Sequence, residues 1–158
     1  MKVNPVGKLL TEVQASYLAG FIDGDGAIMA LLERHSEKRF GFRVRVEVKI
    51  TQHYRNDVSW LLTLTNVGYI RQNVRCYEWI VRDQTAVLWL LKSIASYTRT
   101  KVKQVNIALK ILKHSKQTLA DLTATARLAD SLSAFNVRSK NRRKNYAAMI
   151  QVNNSRND

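Results

Sequence analysis

Acidic residues are scarce in this chain: 12 Asp and Glu stand against 26 Lys and Arg, a formal charge of +14. An excess of that size points to a polyanion, most simply nucleic acid. Cysteine is nearly missing. A single Cys76 excludes an intrachain disulfide and a zinc ribbon, and beside strand-like residues it reads as packing. Histidine is sparse too, and His35 has no second His or Cys nearby, so a histidine-based metal centre is not expected there. The only proline, Pro5, sits in a short N-terminal stretch that looks like an arm. No apolar run is long enough to span a bilayer and no signal peptide is visible. The expected location is therefore intracellular, cytoplasmic in a prokaryote or organellar in a eukaryote. The basic residues fall on mixed helix and strand patterns rather than on one amphipathic anchor, which argues against an acidic membrane as the polyanion. No internal repeat is present.

What is present suffices for one folded unit. The chain has 158 residues, 46% of them apolar, enough for a real core. Residues 1–11 are expected to form an arm, 12–135 a compact domain, and 136–158 a basic extension. In that extension Arg138, Lys140, Arg142, Arg143 and Lys144 crowd together, as a backbone-binding segment or a loose tail.

Periodicity supplies the elements. Glu12–Ile22 predicts a helix, Ala27–Arg34 a strand, and His35–Lys38 a polar turn. The cleanest pattern runs from Arg43 to Thr51. Arg43, Arg45, Glu47, Lys49 and Thr51 alternate with Val44, Val46, Val48 and Ile50. That is a half-buried strand whose open face carries three cations and one acid. Such a face is either simply solvated or laid against DNA. Asn56–Asn66 predicts a second helix, and Gly68–Asn73 with Cys76–Arg82 a hairpin. Helical patterns then cover Thr85–Ala95, Val102–His114 and Leu119–Phe135. The order predicts an α+β domain: an antiparallel four-stranded sheet with helices on one face.

The most informative segment is Tyr17-Leu18-Ala19-Gly20-Phe21-Ile22-Asp23-Gly24-Asp25-Gly26. Small and large apolar residues on a helix run into two carboxylates separated by one glycine. Small residues let a second backbone approach, and carboxylates at the helix end suit a hard divalent cation. This segment resembles the motif of the LAGLIDADG homing endonucleases, with Phe21 and Gly24 as variants. The resemblance covers roughly residues 12–135 and implies the αββαββα fold with extra C-terminal helices, its sheet a saddle seated in the DNA major groove. With a single motif, the chain is similar to the homodimeric, intron-encoded group. That implies a site-specific endonuclease that makes a double-strand break in a long pseudo-palindromic target, leaving short 3′ overhangs. A non-cleaving relative of the same fold, such as an intron maturase or a regulator, is the rival.

The resemblance also implies roles residue by residue. Asp25 is the expected ligand of Mg²⁺ (or Mn²⁺, with Ca²⁺ in non-cleaving complexes), assisted by the backbone of Gly24. Gln52 and Lys101 match polar and basic positions that organise water around the scissile phosphate. A further basic position falls on Asn56, with Arg55 adjacent. Asp23 is expected to bond backbone locally. The expected DNA surface takes Met29, Leu31, Glu33 and His35 from the first strand and Arg43, Arg45 and Lys49 from the second. Arg71 and Asn73 come from the third, and Glu78, Ile80 and Arg82 from the fourth, with Arg143 on the DNA backbone. Arg suits guanine, Asn adenine, and apolar groups the thymine methyl. Leu18, Ala19, Gly20 and Ile22 are the expected dimer contacts. Double-stranded DNA and a second copy are the expected partners; a membrane or a small-molecule substrate is not.

Overall fold

The computed structural model describes residues 6–136 and 145–154. Helix α1 spans Glu12–Asp25. It starts at Thr11, whose hydroxyl accepts the Gln14 amide at 3.2 Å while the Gln14 side chain accepts the Thr11 amide at 2.9 Å. The helix runs one turn beyond the expected end at Ile22. Asp23, Gly24 and Asp25 stay helical because the Gly26 amide still donates to the Ile22 carbonyl and Asp23 is held from outside. The two carboxylates thus stand in the last helical turn, not beyond it.

Strands β1 (Gly26–Arg34) and β2 (Phe42–Gln52) follow, then α2 (Asn56–Thr65), β3 (Tyr69–Asn73) and β4 (Cys76–Val81). All pairings are antiparallel, in the order β1-β2-β4-β3. Asn66 ends α2 in the left-handed region, at φ 58°. At Gly68, φ is 82° and an added Cβ would stand 2.6 Å from the Ile80 carbonyl oxygen, so the entry to β3 requires glycine.

The alternation expected of β2 holds. Val44, Val46, Val48 and Ile50 are buried with Ile28, Ala30, Trp79 and Val81. They pack under α1 and under helices α3 (Gln84–Ile94), α4 (Val102–Lys113) and α5 (Leu119–Asn136). The opposite face carries the charged residues.

The sheet is wide only at the Asp25 end. Strand β4 pairs with β2 from Val48 to Gln52 and then stops. Where it stops, the Gln84 side chain takes its place: its amide donates to the Val46 carbonyl at 2.8 Å and accepts the Val46 N–H at 2.9 Å. The outer edge of β1 is touched by Asn136, which donates to the Ile28 carbonyl at 2.6 Å.

Both flanking segments pack more closely than the sequence suggests. In the N-terminal arm, Val6 and Leu10 lie against the core and the Lys8 amide donates to the Thr65 carbonyl at 3.0 Å. Within the expected basic extension, residues Tyr146–Asn154 form helix α6. Tyr146 and Ile150 join the core, and the Asp130 carboxylate caps α6 by accepting the amides of Tyr146 and Ala147. Arg138, Lys140, Arg142, Arg143 and Lys144 lie outside the described residues. Among the described residues no helix is long and apolar enough to cross a membrane.

Candidate active site and nucleic-acid interface

Three expected site residues converge at the end of α1. Gln52, the last residue of β2, donates from Nε2 to the Asp25 carboxylate at 2.8 Å. Lys101, just before α4, is half-buried and donates from Nζ to the Asp23 carbonyl. Asp23 itself points away from Asp25. Its carboxylate accepts the amides of Arg99 at 2.6 Å, Thr100 at 3.2 Å and Lys101 at 3.1 Å. It ties the loop ahead of α4, remote in sequence, to the end of α1. Burial raises the Asp23 pKa, but the backbone donors at Arg99, Thr100 and Lys101 outweigh it and hold the carboxyl below its ordinary value.

The end of α1 is a negative corner with the Lys101 ammonium already beside it. A helix C-terminus is the negative end of the peptide dipole, and the last turn of α1 contains no basic residue. The Asp23 carboxylate stays charged, with its oxygens occupied by the backbone amides of Arg99, Thr100 and Lys101; Asp25 is exposed and meets only the Gln52 amide dipole among the bonds described. Among the described residues no group of three or more His, Cys, Asp or Glu gathers in one place. Asp25 is thus an exposed hard oxygen donor at the helix end. Gly24 is exposed with open space where a Cβ would stand. Arg55 and Asn56 are exposed at the start of α2.

Helix α1 has two faces. Leu18, Ala19 and Ile22 are fully buried in the chain's own core, so they are not free for a partner. The expectation at those positions is corrected by the helical period: Ala15, Leu18, Ala19 and Ile22 share the inner face. The outward stripe is Val13, Tyr17, Gly20 and Gly24, spaced by four, three and four residues. Val13 and Tyr17 are 78% and 64% exposed, and Gly20 has open space at its Cβ. Tyr17 and Phe21 flank the Trp60 ring, each at 5.5 Å between centroids. Helical spacing marks Val13 and Tyr17 in the sequence as an apolar stripe; that this stripe faces outward is decided by the sheet beneath α1.

The charged sheet face assembles as the strand parities require. Met29, Leu31 and Glu33 stand opposite Glu47, Arg45 and Arg43, and Arg71 stands opposite Glu78. His35 lies one residue past β1, in the turn, where its amide donates to the Gly41 carbonyl at 2.9 Å. Asn73 is exposed at the hairpin end. The cations are not free, however. Glu33 binds Arg43 and Arg45; Glu47 binds Arg82 at contact distance and lies 3.9 Å from Arg45; Glu78 binds Lys49 at 2.9 Å and also Arg71. Burial pushes the Glu78 carboxyl up, but Lys49 and Arg71 outweigh it and hold it below its ordinary value. Two expected DNA contacts are corrected here. Ile80 is 0% exposed, covered between its ladder partners Lys49 and Tyr69, and Glu78 is 3% exposed beneath its cations. Neither offers surface to a groove.

Comparison with known proteins agrees with this architecture. The LAGLIDADG endonuclease family matches residues 18–109, more than half of the chain. A curated relative, DNA endonuclease I-CreI of Chlamydomonas reinhardtii, is 27% identical over 127 residues, covering 76% of this chain and 77% of that one. Among solved structures, homing endonuclease I-CvuI in complex with the I-CreI target superposes with a TM-score of 0.80 at 23% identity, covering 89% of this chain and 91% of that one. The archaeal intron-encoded homing endonuclease I-Vdi141I, complexed with DNA, gives 0.75 at 17% identity over 88% and 92%. I-TnaI, another homing endonuclease, gives 0.75 at 21% over 89% and 99%. The fold is theirs, and the family match runs through α1, the sheet and the start of α4: this chain belongs to the LAGLIDADG endonuclease family.

Proposed function

We propose that this chain is a site-specific endonuclease which, as a homodimer, cuts both strands of a long, pseudo-palindromic DNA target. The observation that carries the reading is the junction at the end of α1. The same helix presents an outward stripe of Val13, Tyr17, Gly20 and Gly24 and ends in the Asp25–Gln52 pair. Glycine inside a helix costs about 0.5–1 kcal/mol relative to alanine, and nothing within the single chain requires it at positions 20 and 24. A second α1 at close approach would use both. An isologous dimer about that contact brings the two Asp25 residues to the axis, one for each strand.

Each residue then has a chemical task. Asp25, with the Gly24 backbone, would hold a divalent cation such as Mg²⁺, and the metal supplies charge stabilisation and a more acidic water for phosphodiester hydrolysis. Gln52 fixes the carboxylate through Oδ2 and leaves a polar group beside the attacking water. Lys101 places an ammonium next to the same turn, where negative charge develops on the phosphate. Arg43, Arg45, Lys49, Arg71 and Arg82 on the sheet face read the groove.

The test is selection of cleaved sequences from a randomised DNA library with Mg²⁺, run with the natural chain and with Asp25→Asn. One family of pseudo-palindromic sites is expected from the natural chain. Asp25→Asn should bind those sites and leave them intact, since an amide is a poor substitute for an anionic ligand. Cleavage by Asp25→Asn near the natural rate would remove the metal role from that residue.

A further inference from the structure

Two buried carboxylates on a face built for a polyanion need a reason. Glu47 and Glu78 are each 3% exposed, on the cationic side of the sheet. A buried carboxylate is costly unless paired, and each has cations of the DNA-facing set as partners. The pairs fall into two separate groups. Near the Asp25 end, Glu78 holds Lys49 and Arg71. Farther out, Glu47 and Glu33 hold Arg43, Arg45 and Arg82. Buried Ile80 on β4 stands between Glu78 and Arg82, the residue that follows the strand, and divides the groups. Lys49 and Arg45 lie four residues apart on β2, about 13 Å at the usual strand rise, or roughly four base-pair steps.

We infer that Glu47 and Glu78 are positioning residues for sequence readout, each fixing the cations that address a different part of the half-site. This rests on the endonuclease reading above. An unpaired Arg or Lys on a flexible stem finds any phosphate within reach. Tethered to a buried carboxylate, the same group presents its remaining donors in one direction and meets base acceptors only where the sequence supplies them. The far group is held tightly but incompletely: the buried Nε of Arg45 has no acceptor among the described residues, so the carboxylates hold that side chain through Nη2. The bland alternative is a cross-strand ion ladder that merely stabilises the sheet.

The two groups provide their own internal control. The experiment compares cleavage profiles of the natural chain, Glu47→Gln and Glu78→Gln on a library substituted at every position of the selected site. Glu78→Gln should lose about tenfold or more of its discrimination at base pairs near the cut and keep it farther out; Glu47→Gln should do the reverse. A ladder that serves stability alone would weaken cleavage evenly at all positions, or leave the profile unchanged, and either result overturns the inference. If Glu47→Gln does not fold, Glu47→Asp carries the same test, because it keeps the buried charge and withdraws it from Arg82. A natural chain that cuts no DNA would remove the endonuclease reading itself. Cutting by the natural chain with unlocalised variant profiles would remove only this one.

Discussion

Asp23 and Asp25 are separated by a single glycine and do unrelated work. Asp25 is exposed and turned to Gln52, while Asp23 accepts three backbone amides ahead of α4. Asp23→Ala should therefore destabilise the fold, by about 1.5–3 kcal/mol on the scale of hydrogen bonds to a charged group. Its dependence on pH has a definite sign. The folded pKa lies below the unfolded one, so the stabilisation is complete above the ordinary Asp range and is lost as pH falls through the lowered value. Urea unfolding of the natural chain and Asp23→Ala should show a gap near neutrality that closes on acidification below about pH 4. A gap that persists unchanged into acid would contradict the assignment. The sequence shows that Asp23 suits backbone bonding. It does not show the partner, because residues 99–101, in the loop ahead of α4, are brought there only by the tertiary fold.

At the scale of elements, α1 has an inner and an outer apolar stripe, and they should respond differently to substitution. Gly20→Leu meets open space in the single chain. It should leave the fold and its circular dichroism intact while sedimentation shows monomer and cleavage disappears. A Gly20→Leu protein that stayed dimeric and cut both strands would show that α1 is not the contact. Leu18→Ala empties a fully buried position and should cost about 2–5 kcal/mol in unfolding free energy, whatever the assembly. Strand β2 was legible from sequence because a perfect alternation leaves only one face to bury. Two apolar stripes on α1 were legible from spacing, but which of them turns inward was not, because only the sheet beneath decides it. Helix α6 was hidden by the basic run before it; its anchors, Tyr146 and Ile150, are few and need α5 to pack against.

For the whole molecule, the sheet face is much less positive than the chain. Its five cations, Arg43, Arg45, Lys49, Arg71 and Arg82, face three carboxylates, Glu33, Glu47 and Glu78, leaving +2 of the total +14. Attraction to the DNA backbone must come mostly from cations elsewhere on the surface. Binding should weaken on the order of a thousandfold between about 50 and 200 mM salt if roughly six or more phosphates are engaged. A nearly flat salt dependence in a filter-binding or fluorescence titration would contradict that. Topology and charge were readable in the sequence; the pairing of the charges was not, because it depends on register between strands. One more feature matters to the molecule in a crowded solution. Where β4 ends, a single amide, Gln84, occupies both hydrogen-bonding groups of Val46. Take it away and the middle of β2 becomes an open seam, with a donor and an acceptor ready for any passing strand. Gln84→Ala should stay active when dilute yet scatter light increasingly as the protein is concentrated, and the parent chain should remain clear.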